Sequence, residues 1–183
     1  QILYGSDDVG KLKSIIAKNR LEHLNPLVEI EIFNLRLDAT NSLGIIRDFD
    51  IIVDAPDNLE TRYIINDSCV ILNKPMIHGA IYKFEGQVSV FNYNEGATYR
   101  CYNPSGIKKD YKNPSPTDVG LLGVLPGITG TFMANEVIKV ITGTGNILSG
   151  KVLLFNILDH SSRLVTVKNV PENHNLKEIK TFC

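Results

Sequence analysis

No Gly-rich phosphate-binding loop occurs anywhere in this 183-residue chain. Cysteine is scarce: Cys69, Cys101 and Cys183 are odd in number and far apart. They do not read as a disulfide framework, and a reducing cytoplasm is the default compartment. Charge of one sign is also missing. A net charge of −1 gives no electrostatic case for nucleic acid or a membrane as the main partner. The first residues, Gln1-Ile-Leu-Tyr-Gly, have neither an initiator Met nor the charged-then-apolar layout of a signal peptide. That start suggests a fragment or a processed chain. The longest apolar stretch, Val119 to Met133, is interrupted by Gly120, Gly123, Pro126, Gly127 and Gly130. It reads as too short and too broken for a membrane span. There is no internal repeat and no inter-domain linker.

What is present is ordinary for a folded domain: 43% hydrophobic and 21% charged residues, on a length that suits one domain with a sizeable core. The most informative stretch is Ile51-Ile-Val-Asp54-Ala-Pro-Asp57-Asn58, followed by Leu59-Glu-Thr-Arg62. An apolar run ends in two acids, a proline and an asparagine, and a helical pattern begins. In an open α/β sheet, ligands bind beyond the carboxyl ends of strands, where such carboxylates can meet a metal–nucleotide complex.

The periodicity predicts a helix from about Asp8 to Leu24, ended by Asn25-Pro26. Val28, Ile30 and Ile32 alternate with Glu29 and Glu31 and predict a strand. Ala39 to Phe49 reads as a short helix started by Asp38. Ile51 to Val53 reads as a buried strand, Asn58 to Leu72 as a helix and Pro75 to Ala80 as another buried strand. This alternation implies βαβ units and a mostly parallel, Rossmann-like sheet with flanking helices. From Gln87 the pattern changes to an antiparallel or mixed β extension. Gln87 to Asn92 is a strand with which Thr98 to Cys101 is expected to pair, and Lys151 to Ile157 with Leu164 to Lys168 makes a hairpin. Tyr102 to Asp118 reads as a long mobile loop, Thr129 to Thr142 as a helix closed by Gly143, and the tail from Pro171 as polar and loose. The expected organisation is one domain: 1–85 the remainder of a nucleotide-binding half, 86–170 a docking and dimerisation half, and 171–183 a tail.

Six segments in order carry a family resemblance. They are Val9-Gly-Lys-Leu-Lys13, Leu24-Asn-Pro26, Asp54-Ala-Pro-Asp57-Asn58 with Arg62, Pro75-Met-Ile-His-Gly-Ala80, Glu85-Gly-Gln-Val-Ser-Val-Phe91, and Gly120 to Gly130 with Ala134-Asn-Glu136. Together they resemble the ThiF/MoeB/HesA family, bacterial relatives of ubiquitin-activating enzymes. The resemblance runs from Gln1 to about Lys168. It implies adenylation, with ATP and Mg²⁺, of the C-terminal glycine of a ubiquitin-like (β-grasp) sulfur carrier in thiamine or molybdopterin biosynthesis, by a cytoplasmic homodimer. The family's opening strand, Gly-rich loop and ribose-binding acid would lie before Gln1, so this chain alone is expected to be inactive or nearly so.

By the same resemblance, Asp57 is the acid next to the ATP-bound Mg²⁺, and Lys13 reaches the nucleotide phosphates. The plainer readings are a helix cap for Asp57 or Asn58 and a solvated surface lysine for Lys13. Arg62, five residues beyond Asp57, either pairs with Asp57, touches the incoming tail, or makes a weak surface ion pair. Asn58 is a nucleotide or tail contact as well as a cap candidate. Gln1 aligns beside a phosphate-binding arginine pair. His78 reads as a packed, hydrogen-bonded histidine, because an attacking carboxylate is already ionised at pH 7 and needs no general base. Many family members hold a structural zinc with two Cys-x-x-Cys pairs; here Cys101 has lost its partner and Pro171 to Asn175 holds no cysteine, so zinc is not expected. Pro116 stands where some relatives use a loop cysteine covalently, and Cys69 reads as a buried, inert thiol. Two readings stand beside the enzyme: a non-catalytic module that binds a β-grasp protein or dimerises, and an NAD-dependent dehydrogenase, which the acids and lysine of the crevice disfavour.

Overall fold

The structure, a computed structural model, describes residues 2–104 and 120–179. The chain divides into two compact units, Gln1–Leu37 and Asp38–Cys183. Gln1, most of the expected 102–118 loop with Pro116, and Cys183 lie outside the described residues.

In the first unit a 3-10 turn, Ser6–Asp8, precedes helix α1, Lys13–Leu24. Asp8 organises the entry: its Oδ2 accepts from Gly5 N at 2.8 Å and from Arg20 Nη2 at 2.7 Å. The helix therefore starts later than its apolar spacing predicts, and residues 9–12 make the connection. The expected strand over residues 28–32 does not form, and Val28 is exposed. Alternation specifies the faces of a strand and not its neighbour; among the described residues no strand pairs with this segment.

In the second unit Asp38 opens the chain, its Oδ1 accepting from Thr40 N at 2.8 Å and Asn41 N at 3.3 Å. Only Ser42–Ile46 (α2) of the expected 39–49 helix is helical. Strand β1, Ile52–Asp54, leads into helix α3, Leu59–Ile71. Strands β2 (Met76–Tyr82), β3 (Glu85–Phe91), β4 (Lys151–Asn156) and β5 (Ser162–Thr166) follow in a single five-stranded sheet of order β1-β2-β3-β4-β5. β1 and β2 are parallel, as the crossover through α3 requires; the other three pairs are antiparallel. Thr98 to Cys101 does not join β3. Tyr99–Tyr102 is a helical turn, α4, because Tyr99 N is taken by Asn66 Oδ1 at 2.9 Å and Arg100 by Asp67.

Helix α5, Val124–Thr142, begins five residues before the expected Thr129. Pro126 and Gly127 do not break it. Pro126 falls in the first turn, where backbone N–H groups have no intrahelical partner to lose. The resulting 19-residue helix is long and apolar enough to cross a membrane by length and composition, which corrects the broken reading of this stretch. Here it packs on β2 and β3, with Met133, Val137 and Val140 against Ile77, Val88 and Val90. Gly79 permits the approach: a Cβ there would lie 2.1 Å from Met133 Sδ. The opposite sheet face is closed by α3 and α4, where Tyr63, Tyr99, Phe91 and His78 form an aromatic cluster.

Candidate functional site

The apolar strand β1 delivers Asp54 to its carboxyl end, and the chain turns through Ala55, Pro56 and Asp57 into α3. Asn58 is the helix cap: its Oδ1 accepts from Thr61 N at 2.8 Å. Of the two cap candidates Asn58 takes the role, and Asp57 is left exposed at the turn, accepting from Asn58 Nδ2 at 3.2 Å.

Arg62 corrects two expectations. It is neither a surface residue nor a partner of Asp57: it is 6% exposed. Its Nη1 donates to Asp54 Oδ2 at 3.1 Å and to Gly79 O at 3.1 Å, and its Nη2 donates to Pro56 O at 2.8 Å. The guanidinium thus ties together the end of β1, the turn and β2. His78 faces Asp54 across the parallel pair, with Nδ1 2.7 Å from the same Oδ2, and both residues are buried. Asp54 Oδ1 is buried with no partner. Burial disfavours the charged imidazole and holds His78 below its ordinary value against the opposing hydrogen bond to Asp54. The expectation of a packed, hydrogen-bonded histidine agrees with this arrangement.

Arg62 and the turn beside it line a cleft of about 380 Å³ with Asp57, Asn58, Gln87, Tyr99 and Thr129, among others, while Asp54 and His78 lie buried behind Arg62. Asp57, Asn58 and Arg62 are therefore brought together. Lys13 lies in the first unit, as the first residue of α1, with Nζ 5.8 Å from the Tyr4 ring centroid. Sequence reasoning missed Gln87, Tyr99 and Thr129 as cleft residues and the pairing of Asp54 with His78. Asp54 was visible as a strand-end acid, but the β1–β2 register that sets it beside His78 is a long-range pairing with no local signature.

A second cleft, of about 510 Å³, lies over the outer face of the antiparallel strands, with Tyr82, Glu85, Tyr102, Leu154 and Arg163 in its walls. Ala80 and Gln87 line both clefts. Tyr102 donates to Gln87 Oε1 at 2.6 Å at their junction.

Cys101 is met by Thr98 Oγ1 at 3.3 Å, Val170 N at 3.4 Å and Asn173 Nδ2 at 3.5 Å. Burial opposes ionisation of this thiol, yet these hydrogen bonds hold it below its ordinary value. His174 turns to Asn169 Oδ1 at 2.7 Å. Among the described residues no group of three His, Cys, Asp or Glu could hold a metal ion. Residues 171–174 form a 3-10 turn, so the start of the tail is more ordered than its composition implies. Burial pushes the Cys69 thiol up, consistent with an inert role.

The strand–acid–helix crossover, the cleft beyond it and the antiparallel extension define an α/β protein with a mixed five-stranded sheet and flanking helices. The chain belongs to the ThiF family, whose model matches residues 1–177. It is 44% identical over 197 aligned residues to a sulfur carrier protein adenylyltransferase of Thermus thermophilus, covering all of this chain and 72% of that protein. It is 47% identical to a probable molybdopterin-synthase adenylyltransferase of Pyropia yezoensis, across 88% of this chain and 43% of the relative. The chain thus spans most of the first relative and under half of the second. Among solved structures, E. coli MccB with MccA-N7isoASN superposes with a TM-score of 0.78 at 18% identity, across 93% of this chain and 53% of that one. That likeness is one of fold.

Proposed function

We propose that the protein carrying this chain uses ATP and Mg²⁺ to adenylate the C-terminal glycine of a ubiquitin-like sulfur carrier. The observation that carries this reading is the exposed Asp57 at the mouth of a cleft beyond the carboxyl ends of parallel strands, with Arg62 in the same wall. The relatives named as sulfur carrier and molybdopterin-synthase adenylyltransferases support it. The carrier is that of molybdopterin, thiamine or a related sulfur-transfer pathway.

A lone carboxylate, with no protein cage of three ligands among the described residues, suits a cation whose remaining coordination comes from phosphate oxygens and water. When bound, Mg²⁺ offsets the charge that accumulates where a triphosphate meets a carboxylate. By the family resemblance Asp57 would hold that ion through ATP, Asn58 and Arg62 would shape the nucleotide and tail site, and Lys13 would serve the phosphates. The carrier's glycine carboxylate attacks the α-phosphorus. The bond from that phosphorus to the bridging oxygen breaks, and pyrophosphate leaves with the electron pair. No proton is moved, so the residues of the chain act by positioning and charge stabilisation. The shared border of the two clefts at Ala80 and Gln87 supports docking of the carrier over the antiparallel strands, with its tail running toward Asp57.

The same reading includes a cytoplasmic homodimer without structural zinc. The test is ATP–pyrophosphate exchange by the full-length protein with a β-grasp carrier ending in Gly-Gly. Asp57→Ala is expected to lower exchange at least a hundredfold with an unchanged unfolding midpoint. Wild-type exchange in that variant overturns the role of Asp57, and carrier binding without exchange in the wild type points to a non-catalytic docking module.

A further inference from the structure

His78 is the least expected member of the strand-end cluster, because the proposed chemistry has no use for a base. Its ring is 1% exposed. Nδ1 lies 2.7 Å from Asp54 Oδ2 and 2.6 Å from Arg62 Nη1. One ring nitrogen cannot donate to the first and accept from the second. With Nδ1 unprotonated, its lone pair would face a carboxylate oxygen at 2.7 Å; with Nδ1 protonated, the same distance is a charge-assisted hydrogen bond. We assign the Nδ1–H tautomer on the contact with Asp54, and Arg62 Nη1, whose two hydrogens go to Asp54 and Gly79 O, is then a close neighbour of the ring and not its hydrogen-bond partner.

Asp54 then receives two donors on one oxygen, His78 Nδ1–H and Arg62 Nη1–H, and none on the other. A buried carboxylate with so few partners depends on each of them. Arg62 in turn spends its other hydrogen bonds on Gly79 O and Pro56 O. Pro56 is the residue before Asp57. A chain of contacts thus runs from the imidazole through Asp54 and the guanidinium to the carbonyl that precedes the exposed acid.

We propose that His78 is a positioning residue. In its neutral form it fixes Asp54, which holds Arg62 across the strand ends so that the 54–58 turn presents Asp57 to the cleft in one geometry. This rests on the adenylation reading for its catalytic consequence, and on the geometry alone for its structural one.

The groups that face His78 are few. Asp54 comes from β1, Arg62 from α3, and Tyr99 and Tyr102 from α4, with ring centroids 5.2 Å and 6.4 Å away; β3 contributes the apolar Phe91. Burial raises both tyrosines above their ordinary value, so neither carries charge at neutral pH. Proton uptake by His78 would place a second cation beside Arg62 with one carboxylate between them. The arrangement of the turn is then lost in acid, and activity is lost with it.

The experiment compares wild type, His78→Leu and His78→Asn in the full-length protein. Asn places an amide nitrogen near the position of Nδ1 and keeps the donation to Asp54 without titrating near neutrality. ATP–pyrophosphate exchange, with a carrier that wild type accepts, is measured from pH 5.5 to 8 at a temperature where all three are folded. Expected are a fall in kcat of at least tenfold for His78→Leu, with KM for ATP changed less than threefold. His78→Asn is expected within threefold of wild type, without the acid limb of the wild-type profile. In parallel, backbone amide resonances of Ala55, Asp57 and Asn58 are followed by NMR across the same range. They should shift with His78 in wild type and stay fixed in His78→Asn. Wild-type kcat in His78→Leu, or turn amides that shift equally in His78→Asn, overturns the proposal. Absence of exchange in wild type with every carrier overturns the adenylation reading instead, and the amide titration then decides the role of His78.

Discussion

Helix α3 carries two buried partners of aspartate–arginine pairs, and the pairs are built differently. Asp67 receives Arg100 as a fork: Nε to Oδ1 at 2.6 Å and Nη2 to Oδ2 at 2.7 Å, with the guanidinium 4.8 Å from the Tyr63 ring centroid. Both carboxylate oxygens are used. Asp54 and Arg62 meet through a single nitrogen and a single oxygen, and Asp54 Oδ1 is left without a partner. The satisfied pair lies away from the cleft and fastens α4 to α3. The under-satisfied pair borders the cleft. Two similar ion pairs on one helix thus serve different ends, and the completeness of the hydrogen bonding distinguishes them.

Removing Asp67 should produce the largest loss of stability. Asp67→Ala leaves Arg100 buried without its fork and is expected to cost about 3–5 kcal/mol in chemical denaturation; a loss below about 1 kcal/mol would mean that the fork does not hold α4. Acid should act on the other pair. His78 titrates below 6.5 in the folded chain, so beneath pH 6.5 the unfolded state takes up a proton that the native state refuses. Stability due to His78 is fully present above 6.5 and falls as pH drops toward the lowered folded value, with a slope approaching about 1.4 kcal/mol per pH unit for one proton. Denaturation midpoints from pH 7.5 to 5.5 measure it, and His78→Asn should remove that part of the slope. Asn58→Ala removes the cap of α3 and should cost about 1 kcal/mol, because Thr61 N loses its acceptor. Asp57→Ala, one residue away, should leave the thermal midpoint where it is. A destabilisation of Asp57→Ala as large as that of Asn58→Ala would show that Asp57 is structural and blur the contrast between the two ends of the cluster.

Much of the second unit was readable in the residues, because its signals are local. The apolar run ending at Asp54, the cap at Asn58 and the turn chemistry before α3 mark a strand–helix crossover without reference to anything distant. The strand over residues 28–32 failed for the opposite reason, since a strand requires a neighbour that alternation cannot name. The site divides along the same line. Asp57 and Asn58 were legible because a turn between strand and helix displays them. The sequence leaves Arg62 open between Asp57, the incoming tail and a surface ion pair, because helical spacing tells which residues share a face and not which of them is covered. Its true partner, Asp54, and the contact of Asp54 with His78 depend on a register set across 24 residues. Pro126 and Gly127 look like breaks in the sequence of helix α5, yet a proline in the first turn removes no intrahelical hydrogen bond.

The parallel pairing of β1 with β2 involves three residue pairs, Ile52 with Met76, Val53 with Ile77 and Asp54 with His78. So short a ladder has little hydrogen bonding with which to choose its alignment. A slip of one residue would set Ile77 or Gly79 opposite Asp54 and turn the imidazole away from the carboxylate. The buried Asp54 would then keep only Arg62 as a partner, and a buried carboxylate short of donors costs more than one ladder bond. The ion cluster therefore favours one alignment: Asp54 gains both its donors only in the register that also assembles the cleft.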